Sequence, residues 1–224
     1  EMNRVGSAVR VVVCLSLTMG IFAPGASAQE ADPEPIGRWA IDVRGALPRY
    51  PEDPDTATAL GVTVDNLPGR GLGLATAVNV YPARLGKHVS LGVGAEWLVF
   101  SRGRKTLDPT TEGGASSPTV TTRFSVLSPQ VSLNFGGRDG WSYVSGGIGW
   151  ASFTTERDDA PVAEADGTTG SLNYGGGARW FAQEHLAFAF DLRFYRIDPQ
   201  DATAGRPAYG GRKMMVFSVG ISVK

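Results

Sequence analysis

The spacing of the connections constrains this chain more than any motif in it. Eight stretches read as β-strands, and the segments that join them alternate long and short from the first to the last. The long ones are Leu47–Arg70, Ser101–Thr122, Thr154–Thr169 and Asp198–Arg212. The short ones are Pro82–Lys87, Gly136–Gly140 and Ala182–His185. Tight connections join neighbouring antiparallel strands. An even number of strands in such a meander brings both chain ends to the short-turn side and gathers the long connections at the other.

Period-two alternation then divides each strand into two faces. In Leu186–Ile197, one face carries Leu186, Phe188, Phe190, Leu192 and Phe194, and the other Ala187, Ala189, Asp191, Arg193 and Tyr195. The last strand sets Phe217, Val219, Ile221 and Val223 against Ser218, Gly220 and Ser222. In His88–Phe100, Val89, Leu91, Val93, Ala95, Trp97 and Val99 oppose Ser90, Gly92, Gly94 and Glu96. The first strand opposes Trp39, Ile41 and Val43 to Asp42 and Arg44, and the sixth opposes Leu172, Tyr174 and Trp180 to Asn173 and Arg179. Glycines blur the phase of Trp141–Phe153.

Alternation alone fits two opposite architectures: a soluble sandwich or barrel with the apolar face inside, or a membrane barrel with that face turned to lipid. The polar face separates them. A surface in water carries many charged side chains, whereas here it is mostly Gly, Ala, Ser and Asn with isolated charges. Small residues suit the narrow interior of an eight-stranded barrel. Most of the strands are about 10–13 residues long, enough to cross a bilayer at a tilt and about twice the usual soluble length. Trp39, Trp97, Trp141, Trp180, Tyr81, Phe135 and Phe181 fall near strand ends, where aromatic girdles meet headgroups. The expected fold is all-β, an eight-stranded antiparallel up-and-down transmembrane β-barrel.

Residues 1–28 read as a secretory signal: Arg4 and Arg10, the largely apolar Val11–Ala23, then the small-x-small run Ala26-Ser27-Ala28. These thirteen residues span only about 20 Å of helix, too little for a bilayer core. Residues 29–36 (QEADPEP and Ile36) read as a short disordered leader, and residues 37–224 as the barrel. Cys14, the one cysteine, lies inside the signal, which excludes thiol chemistry from the expected mature chain. With 21 basic and 22 acidic residues the charge is balanced, and nucleic acid is not an expected partner.

The signal, the eight long amphipathic strands, the short turns and the long loops together resemble the small outer-membrane barrels of the OmpA/OmpX type, the outer membrane protein beta-barrel domain. The resemblance covers residues 37–223 and is one of architecture. It implies residence in a bacterial outer membrane, contact with outer-membrane lipid, a monomer, periplasmic termini and four loops outside. Barrels of this kind commonly end on an aromatic residue; this last strand runs Gly220-Ile221-Ser222-Val223-Lys224, with Phe217 its nearest aromatic.

The charges on the non-lipid face, Asp42, Arg44, Glu96, Arg179, Asp191 and Arg193, form the main candidate constellation. Enclosed in a narrow lumen they would be costly unless paired, so a structural ion-pair network is expected. His88-Val89-Ser90 resembles the His-x-Ser pair of outer-membrane lipid A deacylases. Glu96, the acid of matching parity, lies about 20 Å beyond Ser90 on an extended strand. His185 reads as a solvated turn residue. Gly71-Leu72-Gly73 and Gly175-Gly176-Gly177 open no helix, so they read as strand packing rather than phosphate loops. Glu52, Asp53 and Asp55 of the Pro51–Asp55 run are loop acids with no metal assigned, and no catalytic residue or cofactor is expected. Gly37-Arg38-Trp39 matches the Gly-x-Trp opening of lipocalins. The expected role is a non-enzymatic structural or surface-interaction barrel, acting through its loops on a surface or envelope partner. Its alternatives are a narrow channel, a lipid-modifying enzyme and a soluble lipocalin-like binder.

Overall fold

The computed structural model describes residues 34–108, 117–159, 167–200 and 210–224. The expected signal peptide lies outside them. Eight strands run in chain order: β1 (Trp39–Arg49), β2 (Leu72–Arg84), β3 (Val89–Thr106), β4 (Thr119–Gly137), β5 (Gly140–Arg157), β6 (Thr169–Phe181), β7 (Leu186–Ile197) and β8 (Arg212–Val223). Each pairs antiparallel with the next, and β8 returns to β1 with Ile41 opposite Val223 and Arg49 opposite Met215, closing the barrel. Connections alternate as the spacing predicts, but two of the long ones are shorter than expected. Ser101–Thr106, Thr119–Thr122 and Thr154–Arg157 continue the β3–β4–β5 ladder instead of forming loops.

The apolar face points outward. Leu72, Ile148 and Trp180 are 69 %, 71 % and 68 % exposed, while Ala40, Asp42, Arg44 and Ala46 alternate into the interior of β1. This orientation excludes the soluble reading with an apolar cavity, and Trp39 of the Gly-x-Trp match sits on the outer wall. It is the arrangement of a transmembrane barrel, whose outer face meets hydrocarbon.

Two departures from simple alternation have local causes. A register shift between Leu98 and Ser101 in β3 inserts one extra residue, so Leu98 and Ser101 face in while Phe100 turns out. In β5 the glycines conceal an unbroken phase, with Trp141, Tyr143, Ala151 and Phe153 buried inside and Val144, Ile148 and Trp150 outside. The β4–β5 turn depends on Gly136, whose φ of +142° is one that side-chain-bearing residues rarely adopt.

Inside, two apolar layers lie toward the ends. At the long-connection end Tyr50, Leu98, Phe124, Phe153, Tyr195 and Met214 belong to one cluster, with Phe124 and Tyr195 edge to face at 5.5 Å. At the short-turn end Trp141 stacks on Phe181 at 5.0 Å and meets Tyr81 edge-on at 5.8 Å. Those three aromatics were expected in the girdle. Trp141 is instead buried and the other two pack against it, because their parity points them inward. Trp97, also expected near a strand end, lies in mid-strand on the outer wall because β3 continues past it.

The first long connection is folded as well. Asp53 caps a short helix α1 (Pro54–Ala59), accepting from the Asp55 amide at 3.2 Å and the Thr56 hydroxyl at 2.6 Å, with proline in the first turn. A 3₁₀ turn follows at Val64–Asn66, and Ala57 and Leu67 are buried with Val120 of β4. Arg212 of β8 reaches Asp53 at 3.2 Å and Thr56 at 2.8 Å, and Arg157 of β5 donates to the Leu60 carbonyl at 2.8 Å. The segment therefore packs against β4, β5 and β8 at the long-connection end. At the other end, Glu34–Ile36 are not a loose leader. Ile36 is buried in the lower cluster and Glu34 accepts from Arg138 at 2.7 Å.

Candidate functional site

Between the two apolar layers the lumen holds a charged layer. All six charges of the non-lipid face are brought there, each between 1 % and 4 % exposed. Strand parity aims them inward: Asp42 and Arg44 from β1, Glu96 from β3, Arg179 from β6, Asp191 and Arg193 from β7.

The charges divide into one isolated pair and one four-membered network. Arg179 donates to Asp42 from Nε at 2.9 Å and from Nη2 at 2.5 Å, a bidentate contact. Arg44 meets Glu96 at 2.5 Å and Asp191 at 3.5 Å. Arg193 meets the same two acids, Glu96 at 3.0 Å and Asp191 at 3.1 Å. Each acid of the network thus lies between two guanidinium groups, and the layer of three bases and three acids is neutral. Neutrality matters because an uncompensated charge so deeply buried would be strongly destabilising.

Neutral partners add to the coordination, and these were not singled out from sequence. Tyr143 donates to Asp191 at 2.8 Å and Tyr195 donates to Glu96 at 2.7 Å. Their rings belong to the lower and upper apolar layers, so each tyrosine joins a layer to the network. Arg193 also donates to Gln130 at 2.8 Å, Asn173 at 2.7 Å and Ser145 at 2.9 Å. Arg179 lies over the Tyr143 ring, 4.5 Å from its centroid, a cation–π contact below the network. The inward parity of Asn173 and Tyr195 was legible; that Tyr195 meets Glu96 of the distant β3 was not.

Small residues make this packing possible. A Cβ on Gly177 would fall 2.7 Å from the Tyr143 hydroxyl, and one on Gly220 would fall 2.6 Å from the Arg44 Cα. Glycine at these two places clears space for the groups that join the charged layer, consistent with reading the glycine clusters as packing devices.

The remaining candidates do not assemble. His88 is exposed beside the short β2–β3 turn, Ser90 is inside, and Glu96 is committed to Arg44, Arg193 and Tyr195. His185 is exposed in its turn. Among the loop acids, Asp53 caps α1 and pairs with Arg212; burial pushes its carboxyl up, but the Thr56 hydrogen bond and the Arg212 charge outweigh that and hold it below the usual range. Among the described residues, no group of three His, Cys, Asp or Glu side chains is placed to hold a metal ion.

No protein-family model and no curated protein matches the chain. Solved structures that it resembles are small eight-stranded outer-membrane barrels. Neisserial surface protein A matches at a TM-score of 0.48 and 9 % identity, over 84 % of this chain and 97 % of that one. The Yersinia pestis attachment invasion locus protein Ail matches at 0.42 and 15 %, over 84 % and 98 %. OprG of Pseudomonas aeruginosa matches at 0.43 and 11 %, over 86 % and 97 %. These are likenesses of barrel plan, and the fold rests on the strand pairing described above.

Proposed function

We propose that this chain is a non-enzymatic, non-conducting barrel of a bacterial outer membrane. Its role is structural or adhesive, carried by the four long connections and the rim that supports them. One observation carries the reading: a neutral, cross-bonded charge layer fills the lumen between two apolar layers, while the outer wall is apolar. An ion entering from either end would have to displace packed aromatics and then break ion pairs. Eight strands leave an interior only wide enough for side chains, and the surface left for work is outside the lumen. Against a lipid-modifying activity, Glu96, the acid weighed for His88 and Ser90, is held by two arginines and a tyrosine.

Orientation and closure can be tested together. Trypsin added to intact cells should cut in the long connections, and the purified barrel in a planar bilayer should pass no steady current. Connections cut only after outer-membrane lysis would invert the orientation. Discrete conductance steps would favour the narrow channel.

A further inference from the structure

We propose that the outer wall of β6, β7, β8 and β1, at the long-connection end, binds a membrane lipid bearing a phosphomonoester. Its phosphate would lie on Arg49, Arg196 and Lys213 and its chains along the apolar rows beneath. The inference rests on the membrane reading above and concerns the opposite side of the wall from the charged layer.

The register places these residues side by side. Arg196 lies directly opposite Lys213 on the outer face, and the next row toward the middle of the barrel runs Tyr174, Phe194, Met215, Arg49 across the four strands. Below it Leu192, Phe217 and Leu47 continue the wall with no charge. Tyr174 and Phe194 stack at 5.6 Å with 23° between their planes. The cations and the Tyr174, Phe194 and Met215 row, with Leu172, line a recess of about 550 Å³.

Two features of the cations point to a ligand. Like charges directly opposite on a sheet repel, yet Arg196 and Lys213 occupy such a pair. Among the described residues, neither they nor Arg49 has an ion pair or a side-chain hydrogen bond. Glu52 is the one acid among the described residues lining the recess, so three bases face one carboxylate. The basic group on β3 and β4 differs, because there Arg123 pairs with Glu156 at 2.8 Å and Asp158 lines the same hollow as Arg102 and Arg104.

Cations directly above an apolar wall match the amphiphilic profile of a phosphorylated lipid, with charge-assisted contacts at the headgroup and hydrocarbon below. A phosphomonoester carries more negative charge than a phosphodiester and better balances three bases. A free anion would use the cations but leave the aromatic rows without a role.

The test folds the full chain into phosphatidylcholine bicelles, confirms the heat-dependent gel shift, and titrates phosphatidic acid, phosphatidylglycerol or inorganic phosphate. Bound lipid is read by native mass spectrometry. The wild type should retain phosphatidic acid in preference to phosphatidylglycerol. Arg49→Gln/Arg196→Gln/Lys213→Gln should weaken retention by about tenfold or more, the scale of a lost charge-assisted contact. Arg102→Gln/Arg104→Gln should not. Equal retention in all three proteins, or of phosphatidylcholine as well as phosphatidic acid, overturns the site. Full displacement by inorganic phosphate makes it a free-anion site and overturns the lipid. A chain that stays soluble without detergent and shows no gel shift refutes the membrane reading itself, an outcome separate from loss of selectivity in a folded barrel.

Discussion

Arg179 on β6 holds Asp42 on β1 through two hydrogen bonds of 2.9 and 2.5 Å, and these strands are not neighbours in the sheet. The contact therefore crosses the lumen and ties opposite walls together. Strand number and stagger set the radius of a closed barrel, and this pair adds a tie between walls that no sheet hydrogen bond joins.

Removing one partner should be costly. Asp42→Asn leaves Arg179 buried and uncompensated, and is expected to destabilise the barrel by about 3–5 kcal/mol. Asp42→Leu/Arg179→Leu, which deletes both charges, should cost clearly less than the sum of the two single changes. Urea unfolding in lipid vesicles measures the cycle. Additive losses would mean that the two groups do not interact.

Arg193 should act as a strut rather than a gate. It binds two acids, an amide from each of two strands and a serine, so Arg193→Leu should lower unfolding stability by several kcal/mol and leave the bilayer current at zero. Arg193→Lys should recover only part of the stability, because a single ammonium lacks the planar fork. A large current in either variant would show that the layer had been closing a pore.

Acid should loosen the first connection before the barrel itself opens. The folded Asp53 carboxyl titrates below its ordinary value of about 3.9. Its contribution is thus fully present above that value and is lost as pH falls through the depressed one. Protease cutting or hydrogen exchange in Tyr50–Gly71 should rise at low pH while the strands stay protected, and Asp53→Asn should show the raised exchange already at neutral pH. An unchanged profile in the variant would remove Asp53 from the capping role.

Tryptophan position gives an independent check on which face meets lipid. Trp39, Trp97, Trp150 and Trp180 are on the outer wall and Trp141 is 3 % exposed inside. Brominated lipid should quench single-tryptophan proteins carrying any of the first four, and leave the Trp141 protein bright. Strong quenching of Trp141 would contradict the inward phase of β5.

Much of this architecture was legible because a barrel repeats one simple rule. Leu186–Ile197 alternates without a break, and its polar face delivers Asp191, Arg193 and Tyr195 to the lumen where period two puts them. Period two fails where the count changes: the extra residue at Val99 turns Phe100 outward, and nothing local marks the bulge. Which charge meets which depends on closure, since Asp42 and Arg179 are 137 residues apart. The short helix in the first connection was within reach, because Asp53-Pro54 is a helix-start signal, but six residues are too few to show a helical period. The outer recess needed the register of four strands before its three cations could be seen as neighbours.

The central claim is that the apolar face of this barrel lies in an outer membrane around a closed, charged interior. Cell fractionation followed by electrophoresis with and without boiling tests it most directly. The protein should be recovered with the outer membrane and change its migration on boiling, as a folded barrel gives way to an extended chain. Recovery as a soluble periplasmic species with no such shift would contradict it.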